Sequence, residues 1–546
     1  MDRVEVELEI LTDKDPITAL EILELKGLER IGAPYVFELT AVHRPDGDSL
    51  DGAPQPAGHA SGLEPDALLG LLSSQAVLRF VRYHESAAIL ERTVRGIITS
   101  IEDSLDPVVE GASILKMKIE PRLAELARFV SQDVYVGQSI PEVIKQKLVA
   151  AQFTEADYEL RTGDDIYAGK PWTDRDPSAS NRQPRLTIQY RESDLAFISR
   201  LAEHAGISFF FEDAGDHERV VFSDADSGFA QRSESIAYRS AQAGHGVSTI
   251  GRRMRSIATD FYVYDYNYAT PKQAFQSGDQ QLFDVLGGEA HLDAPTPGTH
   301  IEYAPNVMSP AEAGRIARVR AEEEQTLHER FVAQAREPGL YPGLRFKLSG
   351  HHILPETDEL LVVEATTTYQ ADSSFKGAMT KTNQFTIAFE AVRTQRQVGG
   401  QLAHYRPPRL TPKPRIHGVV TGTIQLDDPS RNPMHQAIDG EGRYLLKLHF
   451  DQTSAVLPRI RMAQSHVGEN YGIHFPLRAG TEVLVAFADG DPDRPVIVGA
   501  VPHPLKHSPV SISADRPATD PVELHRITTR SGILVEISDG LVRAKS

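Results

Sequence analysis

Asp489, Asp491 and Asp493 alternate in a way that could begin a calcium loop, since hard divalent cations are held by carboxylate oxygens at such spacing. That chemistry also needs a glycine and a bidentate glutamate further along; both are lacking, and Pro492 and Arg494 intrude. The run Gly490-Asp491-Pro492-Asp493-Arg494-Pro495 therefore reads as a tight turn, with Arg494 able to pair an aspartate locally. His351-His352 follows Gly350 and reads as a turn after a strand, because a metal site would need further ligands. His503 and His507 are separated by one helical turn, but Pro502 and Pro504 oppose the helix that would align them. Gly-x-Ser-x-Gly, His-Glu-x-x-His and a Gly-rich phosphate loop are all missing. With no cysteine, thiolate ligands, disulfides and cysteine nucleophiles are excluded. No catalytic, cofactor-binding or metal residue is expected, and the chain is read as acting by shape and not as an enzyme.

The elements around that turn are short strands. Tyr444, Leu446, Leu448 and Phe450 alternate with Leu445, Lys447 and His449, which marks a half-buried strand. Ile460 and Met462 alternate with Arg459 and Arg461, and Val483, Val485 and Phe487 with Leu484, Ala486 and Ala488, before the turn into Val496-Ile497-Val498. Several such strands indicate a small barrel of the OB type. Upstream, Ser193 can cap a helix in which Asp194 suits the positive end, Leu195, Ile198 and Leu201 form a stripe, and Gly206 ends it. Ser139-Ile140-Pro141-Glu142 and Ser309-Pro310-Ala311-Glu312 carry the capping pattern of two more helices.

Composition narrows the partners. The 546 residues suggest several domains, and 57 Lys plus Arg against 76 Asp plus Glu give a net charge of -19. Phosphate backbones and anionic membranes are poor partners for such a chain, and no basic groove combines with stacking rings, so no nucleic acid is expected. The start, Met1 to Ile10, alternates like a strand and lacks the form of a secretory signal, so cytoplasmic assembly is expected. No window approaches the roughly 20 apolar residues of a membrane span, so stable membrane insertion is not expected.

The reading along the chain divides it into 1–122, a β-barrel; 123–190, a helical and loop insertion; 191–400, a helix-containing segment and second β-barrel; 401–415, a proline-rich linker; 416–505, an OB barrel; and 506–546, a linker with further strands. Residues 44–64 form a loop rich in Gly, Pro, Asp and Ala, and Trp172, the single tryptophan, sits in a polar stretch that reads as a loop. The strand-like runs 35–39, 93–101 and 114–119 have counterparts in 344–348, 361–366 and 385–389, a weak internal duplication that any two β-domains could also share. The stretch Arg406 to Arg415 should be a stiff, extended connector.

The order of Gly442-Arg443, Gly472, Gly480, Glu482 and Gly490-Asp491-Pro492-Asp493-Arg494-Pro495 resembles the barrel of the VgrG spike proteins, and Glu192 to Glu212 resembles that family's helix and aromatic strand. The resemblance implies a mainly β fold with α+β insertions: duplicated phage-hub-like β-barrels, an OB-fold barrel and the start of a trimeric β-prism needle. Ile527, Gly532, Val535 and Ile537 would belong to that needle or tip-side strand, although the chain stops at Ser546 where spikes of this family usually continue. Duplication would let a homotrimer present six barrels to a hexameric tube protein. The implied function is a structural spike and hub of a type VI secretion-like contractile injection machine, with baseplate components and a PAAR-type tip protein or effector as further partners. It would be assembled in the cytoplasm, then ejected into or through a target envelope. The spike of an extracellular contractile injection particle or phage-like tail is the alternative, and a spike-fused peptidoglycan hydrolase a remote one, because the segment after the barrel is too short for an ordinary independent domain. A carbohydrate- or nucleic-acid-binding OB protein would leave the upstream region unexplained.

Overall fold

The first strand, Arg3–Leu11, buries Val4, Val6, Leu8 and Ile10 and turns its charges outward, and most of the chain repeats this period-2 pattern. In the computed structural model the chain is described over residues 3–12, 20–43, 69–84, 87–105, 113–163, 185–239, 244–266, 268, 286–292, 297–307, 309–352, 354–371, 383–426, 438–451, 454–469, 471–509, 525–538 and 541–545. The loop read at 44–64, Trp172 and residues 510–524 of the second linker lie outside the described residues. Two compact units result: Met1–Val130, Gln138–Pro184 and Glu192–Lys413 form the first, and Ser131–Gly137, Arg185–Arg191 and Pro414–Ser546 the second.

In the first unit, six antiparallel strands stand in the order Arg3–Leu11, Gln75–His84, Ala87–Leu105, Ser113–Glu120, Ala33–His43, Leu20–Arg30. The two ends of this series pack against each other, which curls it into a barrel. A second series runs Val247–Met254, Glu329–Ala335, Gln384–Arg393, Glu359–Gln370, Leu344–Ser349; short strands beside Leu344–Ser349 and a bridge from Tyr238 to Val247 bring it back to its start. An antiparallel ladder from Glu24↔Gln370 to Arg30↔Glu364 fuses the two series into one sheet. One apolar cluster, including Phe37, Phe80, Phe346 and Phe389, spans both. The runs matched in sequence do not correspond one to one: 114–119 lies between its two companions, whereas in the other trio the middle strand contains 361–366. Pairing order is fixed by long-range register, which the separate runs do not encode.

The helices form where their caps stand. Ser139 Oγ accepts from the Glu142 N–H at 3.3 Å while Glu142 accepts from the Ser139 N–H at 2.6 Å, opening the helix Ile140–Ala150. Ser193 caps Asp194–Ala205, which ends at Gly206 with φ 72°, and Ser309 caps Pro310–His328. That last helix, very rich in charge, is not a solvated surface: Arg320 and Glu322 are fully buried. Arg320 pairs with Glu302 at 2.6 Å on the neighbouring strand Thr299–Tyr303, and the Arg320 and Arg409 guanidiniums hold the Glu302 carboxyl down at about 2 against the opposing effect of burial.

The proline-rich stretch is extended, but up to Lys413 it is fastened to the first unit. Arg406 reaches Glu322 at 2.6 Å and the carbonyls of Gly206 and Asp224 at 2.7 and 2.6 Å. The Tyr405 N–H donates to Asp226 at 2.6 Å, Arg409 pairs with Glu323 at 3.0 Å, and the Leu410 and Thr411 N–H groups donate to Glu203 at 3.0 and 2.9 Å. Carboxylates thus satisfy backbone donors that no ladder pairs.

The second unit is a five-stranded barrel in the order Arg459–Arg461, Arg443–Leu448, Val419–Ile424, Glu482–Phe487, Pro495–Ala500, closed by a bridge from Met462 to Ile497. Tyr444, Leu446, Leu448, Val483, Val485 and Ile497 fill it and are fully buried. The residues 131–137 and 185–191, taken from the segment read as an insertion, add a two-stranded ladder whose Val134, Leu186 and Ile188 enter the same core. A separate antiparallel meander, His525–Thr528, Leu534–Ser538 and Leu541–Lys545, follows.

Candidate functional site

The acidic turn is built as a turn, and each aspartate has a structural task. The Arg494 N–H donates to the Asp491 carbonyl at 3.0 Å, with Pro492 at the second position, where its fixed φ suits the bend. The Asp491 carboxylate accepts from the Asp493 N–H at 2.9 Å, and Asp493 accepts from the Ile188 N–H at 2.6 Å, tying the ladder of 185–191 to the barrel. The carbonyl of Asp489, a residue at φ 53°, takes Arg415 at 2.9 Å, and that of Gly490 takes the Ile416 N–H at 2.8 Å. Pro495 then opens the last barrel strand. His351 accepts from the Leu354 N–H at 3.0 Å and packs its ring edge-on against Tyr238, and His503 and Lys506 close a turn between them.

The remaining motif residues set the other corners. Gly442, at φ 76°, lets Asp439 to Gly442 turn back, so that Asp439 accepts from the Arg443 N–H at 2.9 Å and pairs with the buried Arg443 guanidinium at 2.8 Å. Gly472, at φ 143°, stands where a Cβ would come within 2.4 Å of the His466 carbonyl. Gly480 donates to the Ile424 carbonyl at 2.8 Å, and Glu482 begins the strand that faces Val419–Ile424. These positions shape the barrel; they do not converge on one pocket.

The second unit leaves several large apolar side chains uncovered. On the hairpin made by Val467–Gly468 and Tyr471–Gly472 and the chain beyond it, Val467, Tyr471, Ile473 and Phe475 are 73 %, 65 %, 46 % and 57 % exposed. The meander presents a second such face: Ile527 lies opposite Val535 and His525 opposite Ile537, with Ile527 and Ile537 about half exposed, while Arg526 and Glu536 pair at 2.6 Å on the reverse side. Gly532, at φ 95°, closes the loop between these strands, where the Thr529 N–H donates to the Ile533 carbonyl at 2.9 Å. The hairpin surface escaped the sequence reading, although the spacing of Tyr471, Ile473 and Phe475 among polar neighbours is its signature. Exposed apolar patches of this kind mark association surfaces.

Comparison with known proteins agrees with this architecture. Residues 29–373 match the family described as phage tail baseplate hub (GPD), and residues 439–501 the type VI secretion system/phage-baseplate injector OB domain. The chain is 26 % identical over 546 residues to the type VI secretion system spike protein VgrG1b of Pseudomonas aeruginosa, covering 95 % of this chain and 62 % of that protein. It is 25 % identical to the actin cross-linking toxin VgrG1 of Vibrio cholerae, covering 80 % of this chain and 37 % of that protein. The chain spans about six tenths of the length of the first of these relatives. Among solved structures, the E. coli c3393 protein, a type VI secretion system component with structural similarity to the T4 tail proteins gp27 and gp5, superposes with a TM-score of 0.59 at 20 % identity, over 91 % of this chain and 100 % of that one, a likeness of fold. The fused pair of barrels, the OB barrel after them and a family match over residues 29–373 lead to one conclusion: the chain belongs to the phage tail baseplate hub (GPD) family, and carries the injector OB domain in the arrangement of the VgrG spike proteins.

Proposed function

We propose that this chain is the structural hub and spike of a type VI secretion-like contractile injection machine, that it works as a homotrimer, and that it acts mechanically and not as an enzyme. The observation that carries the reading is the continuous sheet in which two barrels are joined by the ladder between Leu20–Arg30 and Glu359–Gln370. Three such chains would offer six barrels to a hexameric tube protein, matching a threefold object to a sixfold one. The apolar faces at Val467 to Phe475 and at Ile527, Val535 and Ile537 are the surfaces on which copies would meet, with the meander as the first part of a shared needle. Baseplate components would hold the hub, and a PAAR-type tip protein or an effector would sit beyond the needle. Assembly in the cytoplasm would be followed by ejection through the target envelope; among the described residues no helix is long and apolar enough to cross a membrane.

Light scattering on the purified chain, with and without residues 506–546, tests the reading. A trimer is expected for the full chain, and a trimer surviving truncation places the decisive contacts in the barrel hairpin. A monomer in both forms would overturn it. Binding of the trimer, in electron micrographs, to one end of rings of the tube protein is the second expected result.

A further inference from the structure

Glu218 opens the strand Glu218–Ser223, which pairs with Ser208–Asp213 and Tyr158–Arg161 in a small sheet of the first unit. Its half-buried side chain meets the Tyr35 hydroxyl on the barrel strand Ala33–His43. The same hydroxyl also contacts the backbone carbonyl of Arg95. A phenol has one proton to donate, and a carbonyl oxygen can only accept. The Tyr35 proton therefore goes to Arg95, and the second contact is satisfied only when Glu218 brings a proton of its own.

Among the described residues, the cations near Glu218 are engaged by other carboxylates. Arg92 is bidentate on Glu29 at 2.9 and 2.5 Å, Arg95 pairs with Asp213 at 3.0 Å, and Arg161 with Glu212 at 2.8 Å. Arg122 and Arg219 face Asp157 and Glu159 at 3.5 Å, and His217 turns to Asp216 at 2.5 Å. Burial and the negative charge of Asp157 oppose the charged form, and they outweigh the Tyr35 hydroxyl and the Arg122 backbone N–H, which favour it. Arg92 lies over Tyr341, 4.8 Å from the ring centre, and Tyr35 packs edge-on against Phe211, so that these side chains line a cleft shared with Glu218.

We propose that Glu218 is a protonated carboxylic acid in the folded protein and that, with Tyr35, it forms a proton-dependent latch holding the hairpin Ser208–Ser223 to the barrel. Burial, as the largest influence, pushes its titration up to about 8 even with the Tyr35 hydroxyl and the Arg122 N–H favouring the charged form. Once ionised, the carboxylate competes with the Arg95 carbonyl for the single Tyr35 proton, and one acceptor is left unpaired in the interior. Because the folded-state value is raised above the ordinary 4.5, the stabilisation is complete below that pH and is lost as pH rises through about 8.

Two measurements on the full chain test this. An infrared difference spectrum at pH 6 between the parent and Glu218→Gln should show a protonated carboxyl band that belongs to the parent and disappears by pH 10; its absence from the parent overturns the proposal. Hydrogen exchange over residues 208–223, corrected for intrinsic rate, should show opening that rises by up to about tenfold per pH unit between pH 5 and 8 in the parent. The same opening should stay flat in Glu218→Gln, whose amide keeps a donor for Tyr35. Equal pH dependence in both proteins would overturn the latch even if the band were present.

Discussion

The hub unit buries a network of paired charges, whereas the spike barrel buries an almost wholly apolar core and carries an exposed apolar hairpin. In the hub, Glu29, Lys147, Asp194, Arg200, Arg320, Glu322 and Arg406 are buried and engaged with opposite charges, as in the 3.0 Å pair of Lys147 and Asp194 and the 2.7 Å pair of Arg200 and Glu192. The spike barrel buries a small, almost wholly apolar core, and then exposes Val467, Tyr471 and Phe475. Buried pairs add little net stability, but removing one partner is costly, so such a network penalises displacement of any element that carries it. Exposed apolar surface does the opposite: it costs the single chain little and favours association. The difference teaches where each unit spends its side chains: the first on buried ion pairs that hold its elements in place, the second on an apolar core and an apolar hairpin that the proposed association of copies would use.

The largest expected effect lies in the hub. Arg406→Ala removes the cation between Glu322, Gly206 and Asp224, and should destabilise the chain by about 3–5 kcal/mol as breaking a buried pair does; a loss under 1 kcal/mol in urea unfolding would break the contrast. In the spike, Leu446→Ala empties part of the barrel core and should cost about 2–5 kcal/mol by the same measurement.

The pH response separates the two units next. Glu302 has its carboxyl lowered to about 2, so its contribution is complete above the ordinary 4.5 and fades as pH falls towards 2. Glu302→Gln should therefore flatten the acid limb of stability between pH 4.5 and 2 relative to the parent, and parallel curves would remove Glu302 from the account. The smallest expected effect on the single chain comes from Phe475→Ser: under about 0.5 kcal/mol in stability, as for most surface changes, with weakened association in light scattering. A large loss of monomer stability would show that this surface belongs to the fold after all.

Much of the spike barrel was legible because its cues are local. Alternation placed Tyr444, Leu446 and Leu448 inside, and the Asp-Pro-Asp-Arg run bends where proline and Asx chemistry bend any chain. The capping residues Ser139, Ser193 and Ser309 declared their helices for the same reason. The burial of Arg320 and Glu322 in the charged helix Pro310–His328 was not legible, since it depends on its neighbours Glu302, His204 and Arg406.

What the sequence by itself determined is the set of strands and caps, the resemblance carried by the glycine and Asp-Pro-Asp-Arg corners, and the absence of cysteine chemistry, all of them properties of neighbouring residues. Only the tertiary structure decided that 185–191 joins the OB barrel through Asp493, that the proline-rich stretch is fastened by Glu203, Asp226 and Glu322, and that Tyr35 and Glu218 meet across 183 positions. Those contacts join residues far apart in the chain, and a pairing of that kind is fixed by register and packing, which no local pattern records.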